Sequence, residues 1–344
     1  MATYDFIFDG LGLRNWCGSG DDDEGMTSMA QLLAQTSGED VDTSGLQTPF
    51  PSMDALHEAC VSFPQSRELT SGLEEGFLSI KDSLKAVVDP LTQPLSWALN
   101  EALWVMQAVP WFIMIPMLML IAWAVGRQMK LVGLVAMCFG FLGFVDYYSY
   151  TMQTLAIIFV CALTCVLLGV PIGVGMSRSN RLQRFMIPIL DMLQTLPPFV
   201  YLIPLIFLFS VTEPKLYGIA IILYAIVPVI RLTDLGIRLV DPDVTEAADA
   251  FGMTKRQKLF KVQIPLALPN IMAGVNQTIM MSLAMVVIAS LVSAPGLCGL
   301  VLRGIRSLEL GVGLLSGLGI VLLAIILDRV TKAALARINV SQTR

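Results

Sequence analysis

Histidine is almost missing from this 344-residue chain: His57 is the only one. A metal or catalytic site built on clustered histidines has no ligands to use here. Charge is also scarce. Asp, Glu, Lys and Arg make up 14% of residues, against roughly 25% in soluble globular proteins. The six cysteines are Cys17, Cys60, Cys138, Cys161, Cys165 and Cys298, and they form no C-x-x-C pair. Cys161 and Cys165 stand four apart on one helix face and read as small apolar packing residues. No G-x-x-x-x-G-K-[ST] occurs, so the chain cannot hold ATP through a P-loop of its own. The N-terminus lacks the basic start and short apolar run of a cleaved signal peptide. What is abundant is apolar: 55% of the residues are hydrophobic. Such a chain meets lipid.

The charge that exists is unevenly placed. Residues 1–100 hold 16 acidic against 4 basic side chains, and residues 101–344 hold 11 against 18. An acidic polar head precedes an apolar, mildly basic body. The head spans about 1–95, and its composition favours disorder over 1–65. The stretch Ser71-Gly72-Leu73-Glu74 has capping-box form. Leu73, Phe77, Ile80, Leu84 and Val88 follow at helical spacing, and Pro90 and Pro94 are expected to end that helix. It reads equally as an interfacial helix on the membrane or as a packing helix.

A span needs about 20 apolar residues to cross roughly 30 Å of hydrocarbon. Seven candidates lie at about 103–126, 131–147, 150–176, 185–210, 216–236, 270–294 and 309–327. The expected fold class is therefore all-α, a polytopic membrane helix bundle over 96–337 with a short tail at 338–344. Trp97, Trp104, Trp111 and Trp123 suit interfacial positions. Gly169 with Gly173, and Gly313 with Gly317, have the spacing that lets helices approach closely. With the head outside, the inner segments carry 15 basic side chains and the outer links only Lys215, Arg303 and Arg306. The positive-inside rule then sets the N-terminus outside and the C-terminus inside.

The longest inner loop runs from about Arg231 to Lys261. Asp243 is placed to cap a short helix, with Glu246 reaching back. Ala247, Ala248 and Ala250 give a small-residue surface. Gly252 suits a left-handed helix end. Thr254 and Gln257 form a second reciprocal cap. The second helix is basic through Lys255, Arg256, Lys258 and Lys261, and Pro265 is expected to stop it. A plain connector needs no such pair of caps around a glycine.

This segment resembles the EAA loop of ABC importer permeases, whose pattern is Glu-Ala-Ala, three residues, Gly, nine residues, then Ile-x-Leu-Pro. Glu246, Ala247, Ala248 and Gly252 match, and Val262-Gln263-Ile264-Pro265 follows at the right distance with two mild departures. The resemblance extends over about 90–335 to the glycine betaine/proline betaine branch. The run from Pro188 through Asp191, Gln194, Thr195, Pro197, Pro198 and Tyr201 to Pro204 is similar to that branch, as is a polar extracytoplasmic extension.

The resemblance implies a type I importer permease in a bacterial inner membrane. It would be non-catalytic, with no cofactor in this chain and with ATP and Mg bound by a separate ATPase subunit. The 241–265 loop would couple to that ATPase, through Glu246, Ala247, Ala248, Gly252, Lys255, Arg256 and Pro265. A homodimer and an extracytoplasmic solute-binding protein are further expectations. The cargo would be a small methylated amine: glycine betaine, proline betaine, choline, carnitine or trimethylamine N-oxide.

Asp191, Gln194, Thr195, Tyr201, Asn276 and Gln277 are the candidate pathway groups. An ionisable residue at membrane depth commonly faces a cavity or a partner, and the alternative for Asp191 is pairing with Arg184 or Arg181. Asn276 and Gln277 read alternatively as bridges between helices. The rival function is a secondary transporter of a similar solute, which would more often show paired ionisable groups inside its spans. An intramembrane enzyme would need a nucleophile or metal set that is absent here.

Overall fold

The computed structural model describes residues 66–342, and the side chains of 70–337. The expectation of disorder over 1–65, together with His57, Cys17 and Cys60, lies outside the described residues. The chain divides into two units after Asp82. Of the first, only helical residues 66–82 are described. All that follows concerns the second.

Every described element is helical, as the apolar composition requires. In lipid a backbone must satisfy its own hydrogen bonds. The order is α1 (Ser66–Ala108), α2 (Trp111–Gly126), α3 (Met129–Phe144), α4 (Tyr148–Arg178) and α5 (Asn180–Thr195). A 3₁₀ turn (Pro198–Tyr201) leads into α6 (Leu202–Leu208), and then come α7 (Pro214–Arg238), α8 (Pro242–Ala250) and α9 (Lys255–Lys258). A π-helical turn (Leu259–Gln263) joins α9 to α10 (Ile264–Ala289). A 3₁₀ turn (Ser290–Val292), α11 (Leu297–Arg306) and α12 (Leu310–Gln342) complete the chain.

The helical bundle agrees with the sequence. Four rods are long and apolar enough to cross a membrane: α4, α7, Lys255–Val292 and Leu310–Arg337. Two expected straight spans are corrected. The 103–126 span is broken by a 114° bend between α1 and α2, at Pro110. The 185–210 span is broken by a 104° bend between α5 and the Pro198–Leu208 segment. There Pro197 and Pro198 hold Leu196 and Pro197 in extended backbone, and a helix cannot continue through them. α3, at 16 residues, is short for a span.

Pro90 and Pro94 do the opposite of what was expected: both lie inside α1, which runs unbroken past them. Ser71 lies five residues into that helix rather than at its cap, so the Ser71–Glu74 pattern is not its start. Arg231 belongs to α7 rather than to a loop.

α7 packs against both α4 and α10, and small residues make this possible. A Cβ on Gly173 would lie 2.7 Å from the Ile230 carbonyl oxygen and 2.6 Å from Thr233 Cβ. On the other flank, a Cβ on Gly274 would lie 3.0 Å from Val229 Cα. Gly169 meets Val229 in the same way, so the Gly169/Gly173 expectation holds. The second pair divides. Gly313 backs onto Gly304 of α11, whereas a Cβ on Gly317 would meet nothing within 4 Å.

Cys138, Cys161, Cys165 and Cys298 are buried and unbonded to one another, as packing residues. Burial pushes the Cys298 thiol up to about 12, too high for a reactive thiolate. Lys215, expected in an outer link, is buried in the first turn of α7. Its Nζ lies 2.7 Å from Asp89 and 2.8 Å from Glu213, above the Phe209 ring. That charge cluster ties α1 to α7.

Candidate functional site

The elbow between α7 and α10 is built by its caps. Asp241 Oδ1 accepts the Asp243 N–H at 2.9 Å, with Pro242 in the first helical position. The capping residue is therefore Asp241 and not Asp243. The proline explains the shift: its fixed φ and missing N–H suit the first turn, which leaves Asp243 already inside the helix.

α8 ends in a Schellman arrangement. Gly252 N–H donates to Asp249 O at 2.9 Å, and Met253 N–H to Ala248 O at 3.2 Å. Gly252 takes φ +75°, as the sequence predicted. Thr254 and Gln257 then form the predicted capping box: Thr254 N–H donates to Gln257 Oε1 at 3.0 Å, and Gln257 N–H to Thr254 Oγ1 at 3.3 Å. Lys258 Nζ sits 2.7 Å from Asp249 Oδ2 and locks α9 back onto α8.

Pro265 does not stop the second helix. The backbone widens into the π turn instead, with Ile264 N–H reaching Leu259 O five residues back. α9, the π turn and α10 run on as one rod from Lys255 to Val292. A π turn is a recognised way to absorb a proline inside a helical path.

The elbow presents Glu246, Ala247, Ala250, Lys255, Arg256 and Lys261 outward. Ala248 is buried, so the open small-residue face is Ala247 and Ala250. Sequence reasoning missed Phe251, which is 85% exposed at the tip between the two short helices, with Val244 open nearby in the chain. An aromatic residue directly before the left-handed glycine was the available signal.

A second arrangement was also missed. Arg231, Asp234 and Arg238 share one face of α7 through spacings of three and four. Arg238 Nε donates to Asp234 Oδ1 at 2.8 Å, Nη1 to Asn180 Oδ1 at 2.9 Å and Nη2 to Met176 O at 2.7 Å. Gln183 Nε2 donates to Asp234 Oδ2 at 2.8 Å. Further up, Arg231 pairs with Asp191 of α5. Asp191 thus bonds to Arg231, not to Arg184 or Arg181. These rungs join α7, which leads straight into α8, to the α4–α5 junction and to α5 itself. The sequence supplied the periodicity, but it did not show that α5 folds back beside α7.

The pathway candidates fall into separate settings. Gln194 and Thr195 end α5 before the bend, and Thr195 Oγ1 donates locally to Met192 O at 3.3 Å. Tyr201 is buried, and its hydroxyl donates to the Leu193 carbonyl, closing the bend. Asn276 Oδ1 accepts from Thr331 of α12, and Gln277 is exposed. The 3₁₀ turn that carries Tyr201 packs on α10, the helix of Asn276 and Gln277. Among the described residues no group of His, Cys, Asp and Glu is arranged to hold a metal.

Residues 165–340 match the family of binding-protein-dependent transport system inner membrane components. The ProW permease of the Escherichia coli (strain K12) glycine betaine/proline betaine transport system is 40% identical over 286 residues, which cover 83% of this chain and 78% of that protein. OpuAB, the glycine betaine transport permease of Bacillus subtilis (strain 168), is 46% identical over 200 residues, 56% of this chain and 70% of that one. TmoV, the trimethylamine N-oxide transport permease of Ruegeria pomeroyi, is 33% identical across 78% of this chain, which covers 40% of TmoV. Among solved structures, the inward-facing MetNI methionine ABC transporter matches with TM-score 0.51 and 19% identity, over 56% of this chain and 95% of that one. At that identity the likeness speaks to the fold alone.

Proposed function

The chain belongs to the binding-protein-dependent transport system inner membrane components, and from that premise we propose that it is the permease of an ABC importer for a small betaine-like methylated amine. The relatives named for glycine betaine, proline betaine and trimethylamine N-oxide support that cargo class. A separate ATPase subunit binds ATP and Mg and hydrolyses the nucleotide; this chain holds no cofactor. A binding protein delivers the solute from outside. Two copies of this chain surround the pathway, with N-termini outside and C-termini in the cytoplasm.

The observation that carries the reading is the elbow. Two short helices, each capped and cross-tied by Lys258–Asp249, hold Glu246, Ala247, Ala250 and Phe251 open toward a partner. Such a rigid exposed surface suits docking into a groove on the ATPase, with Phe251 as an apolar anchor. Lys255, Arg256 and Lys261 add a basic flank that favours an acidic partner surface. Both ends of the elbow are spans, so a displacement of the elbow is delivered to α7 and α10 together. Closure of the ATPase then biases a two-state bundle. Gln194, Thr195 and Gln277 line the pathway beside the neutralised Asp191–Arg231 pair, while Tyr201 and Asn276 hold its walls.

The test is uptake by proteoliposomes carrying this chain with its ATPase and binding protein. Solute accumulation should require ATP. Gly252→Val places a β-branched residue at φ +75°, straining the elbow by about 1–2 kcal/mol. It should leave the chain in the membrane and reduce uptake to background. Accumulation driven by an ion gradient without ATP, or normal uptake by Gly252→Val, would overturn the assignment.

A further inference from the structure

One cavity lies outside everything described so far. It has a volume of about 460 Å³, where α2 begins, α3 ends and α4 begins. Small-molecule sites occupy roughly 300–1,000 Å³. Trp111, Phe139, Phe144 and Tyr148 supply aromatic walls, and Asp146 supplies a carboxylate. Phe139 is 1% exposed and forms the floor.

Three features of this cavity favour positive charge. Aromatic faces attract cations, most strongly those that shed water easily. Asp146 makes no ion pair among the described residues, so its charge is not already neutralised. α3 ends at the cavity, and the C-terminus of a helix carries partial negative charge. A further feature points to an oxygen. Tyr148 Oη is buried and has no hydrogen-bond partner among the described residues. A buried hydroxyl left unpaired is costly, and a ligand acceptor would relieve it.

The alternatives fit less well. A hard metal ion demands six or more oxygen ligands, and the cavity offers one carboxylate and one hydroxyl. A primary ammonium carries three N–H donors and finds too few acceptors. A methylated ammonium needs none.

We propose that this cavity binds a methylated ammonium that carries its own anionic oxygen: the ammonium rests against Trp111 and Asp146, and the oxygen accepts from the Tyr148 hydroxyl. Two sources share that chemistry. One is the imported solute, met before it enters the pathway; the other is a phosphocholine lipid headgroup. That the cavity faces the side from which solute arrives rests on the orientation proposed above.

The experiment uses the assembled permease–ATPase complex in nanodiscs of phosphatidylglycerol, which contain no choline. Saturation-transfer NMR follows the methyl protons of glycine betaine. Wild type should give a saturable signal that unmethylated glycine does not compete away. Asp146→Asn suits the left-handed backbone there, at φ +66°, so it should fold normally. It and Trp111→Leu should each weaken the affinity by roughly tenfold. In phosphatidylcholine nanodiscs, loss of the signal identifies the headgroup as occupant, and its retention identifies the solute. Either result supports the site.

No saturable signal in phosphatidylglycerol, or a signal unchanged in both variants, overturns the proposal. ATP-driven uptake is measured separately on the same preparations. A complex that transports but shows no such binding loses the site and keeps the function. One that binds but never transports loses the function and keeps the site.

Discussion

α7 and α12 are both apolar helices long enough to cross a membrane, and they are used in opposite ways. α7 has the lower mean hydropathy, 2.0 against 2.7, yet 67% of its most apolar stretch is buried within the chain against 22% for α12. The more apolar helix is the less buried. In water that ordering would be perverse. In lipid it is expected, because tails are as apolar as leucine and hydrophobicity does not draw helices together. Association comes from close backbone approach and from polar groups that need each other. α7 has both: glycines face it from α4 and α10, and Arg231, Asp234 and Arg238 find partners on α4 and α5. α12 turns Leu310, Leu314, Leu318, Val321 and Ile325 outward, all exposed.

The strongest way to break this contrast is at Gly173. A leucine there must displace backbone, since its Cβ alone falls 2.7 Å from the Ile230 carbonyl oxygen. Overpacking commonly costs about 1–3 kcal/mol and more against unyielding backbone. Gly173→Leu should abolish accumulation of folded protein, checked by the yield of monodisperse chain in detergent. Normal yield would mean that α4 and α7 do not depend on close approach.

The next effect is graded along the polar face of α7. Asp234 is 8% exposed and receives both Arg238 and Gln183. Asp234→Asn leaves Arg238 without its counter-charge, at a cost of about 1–3 kcal/mol. Because α7 leads directly into the elbow, uptake per ATP hydrolysed should fall several-fold while the ATPase stays bound. Asp191 is 53% exposed beside Arg231. Exposed pairs contribute about 0–1 kcal/mol, so Asp191→Asn should leave abundance unchanged and reduce uptake less than Asp234→Asn does. The reverse order would place the sensitive contact at the pathway rather than at the elbow.

Much of this was readable from residues alone, and the reason is physical. Gly252, Thr254 and Gln257 act within four residues of one another, so the caps of the elbow appear directly in sequence. The apolar runs of α4, α7, α10 and α12 are set by bilayer thickness, so they too are legible. What failed was proline. Pro90 and Pro94 pass through a helix, Pro265 is absorbed by a π turn, and Pro197 and Pro198 turn the chain by 104°. Whether a proline bends or is accommodated depends on what packs beside it, and a local pattern holds no record of that. Arg231 with Asp191 and Asp234 with Gln183 were hidden for the same reason: 40 and 51 residues separate the partners.

The smallest expected effect sharpens the comparison from the other side. Gly313 and Gly317 carry the same spacing as Gly169 and Gly173, yet a Cβ on Gly317 meets nothing within 4 Å. Within one chain Gly317→Leu should therefore change stability by no more than about 0.5 kcal/mol, as at an open surface. Thermal unfolding of the purified chain checks this. The same variant also reports what lies against α12. If lipid covers that face, leucine is as welcome as its neighbours, and the assembled complex keeps its size and uptake. If a second copy lies there, the added side chain obstructs it, and the complex dissociates while the single chain stays folded. Equal spacing of glycines then has two meanings, and only the neighbouring surface decides which one applies.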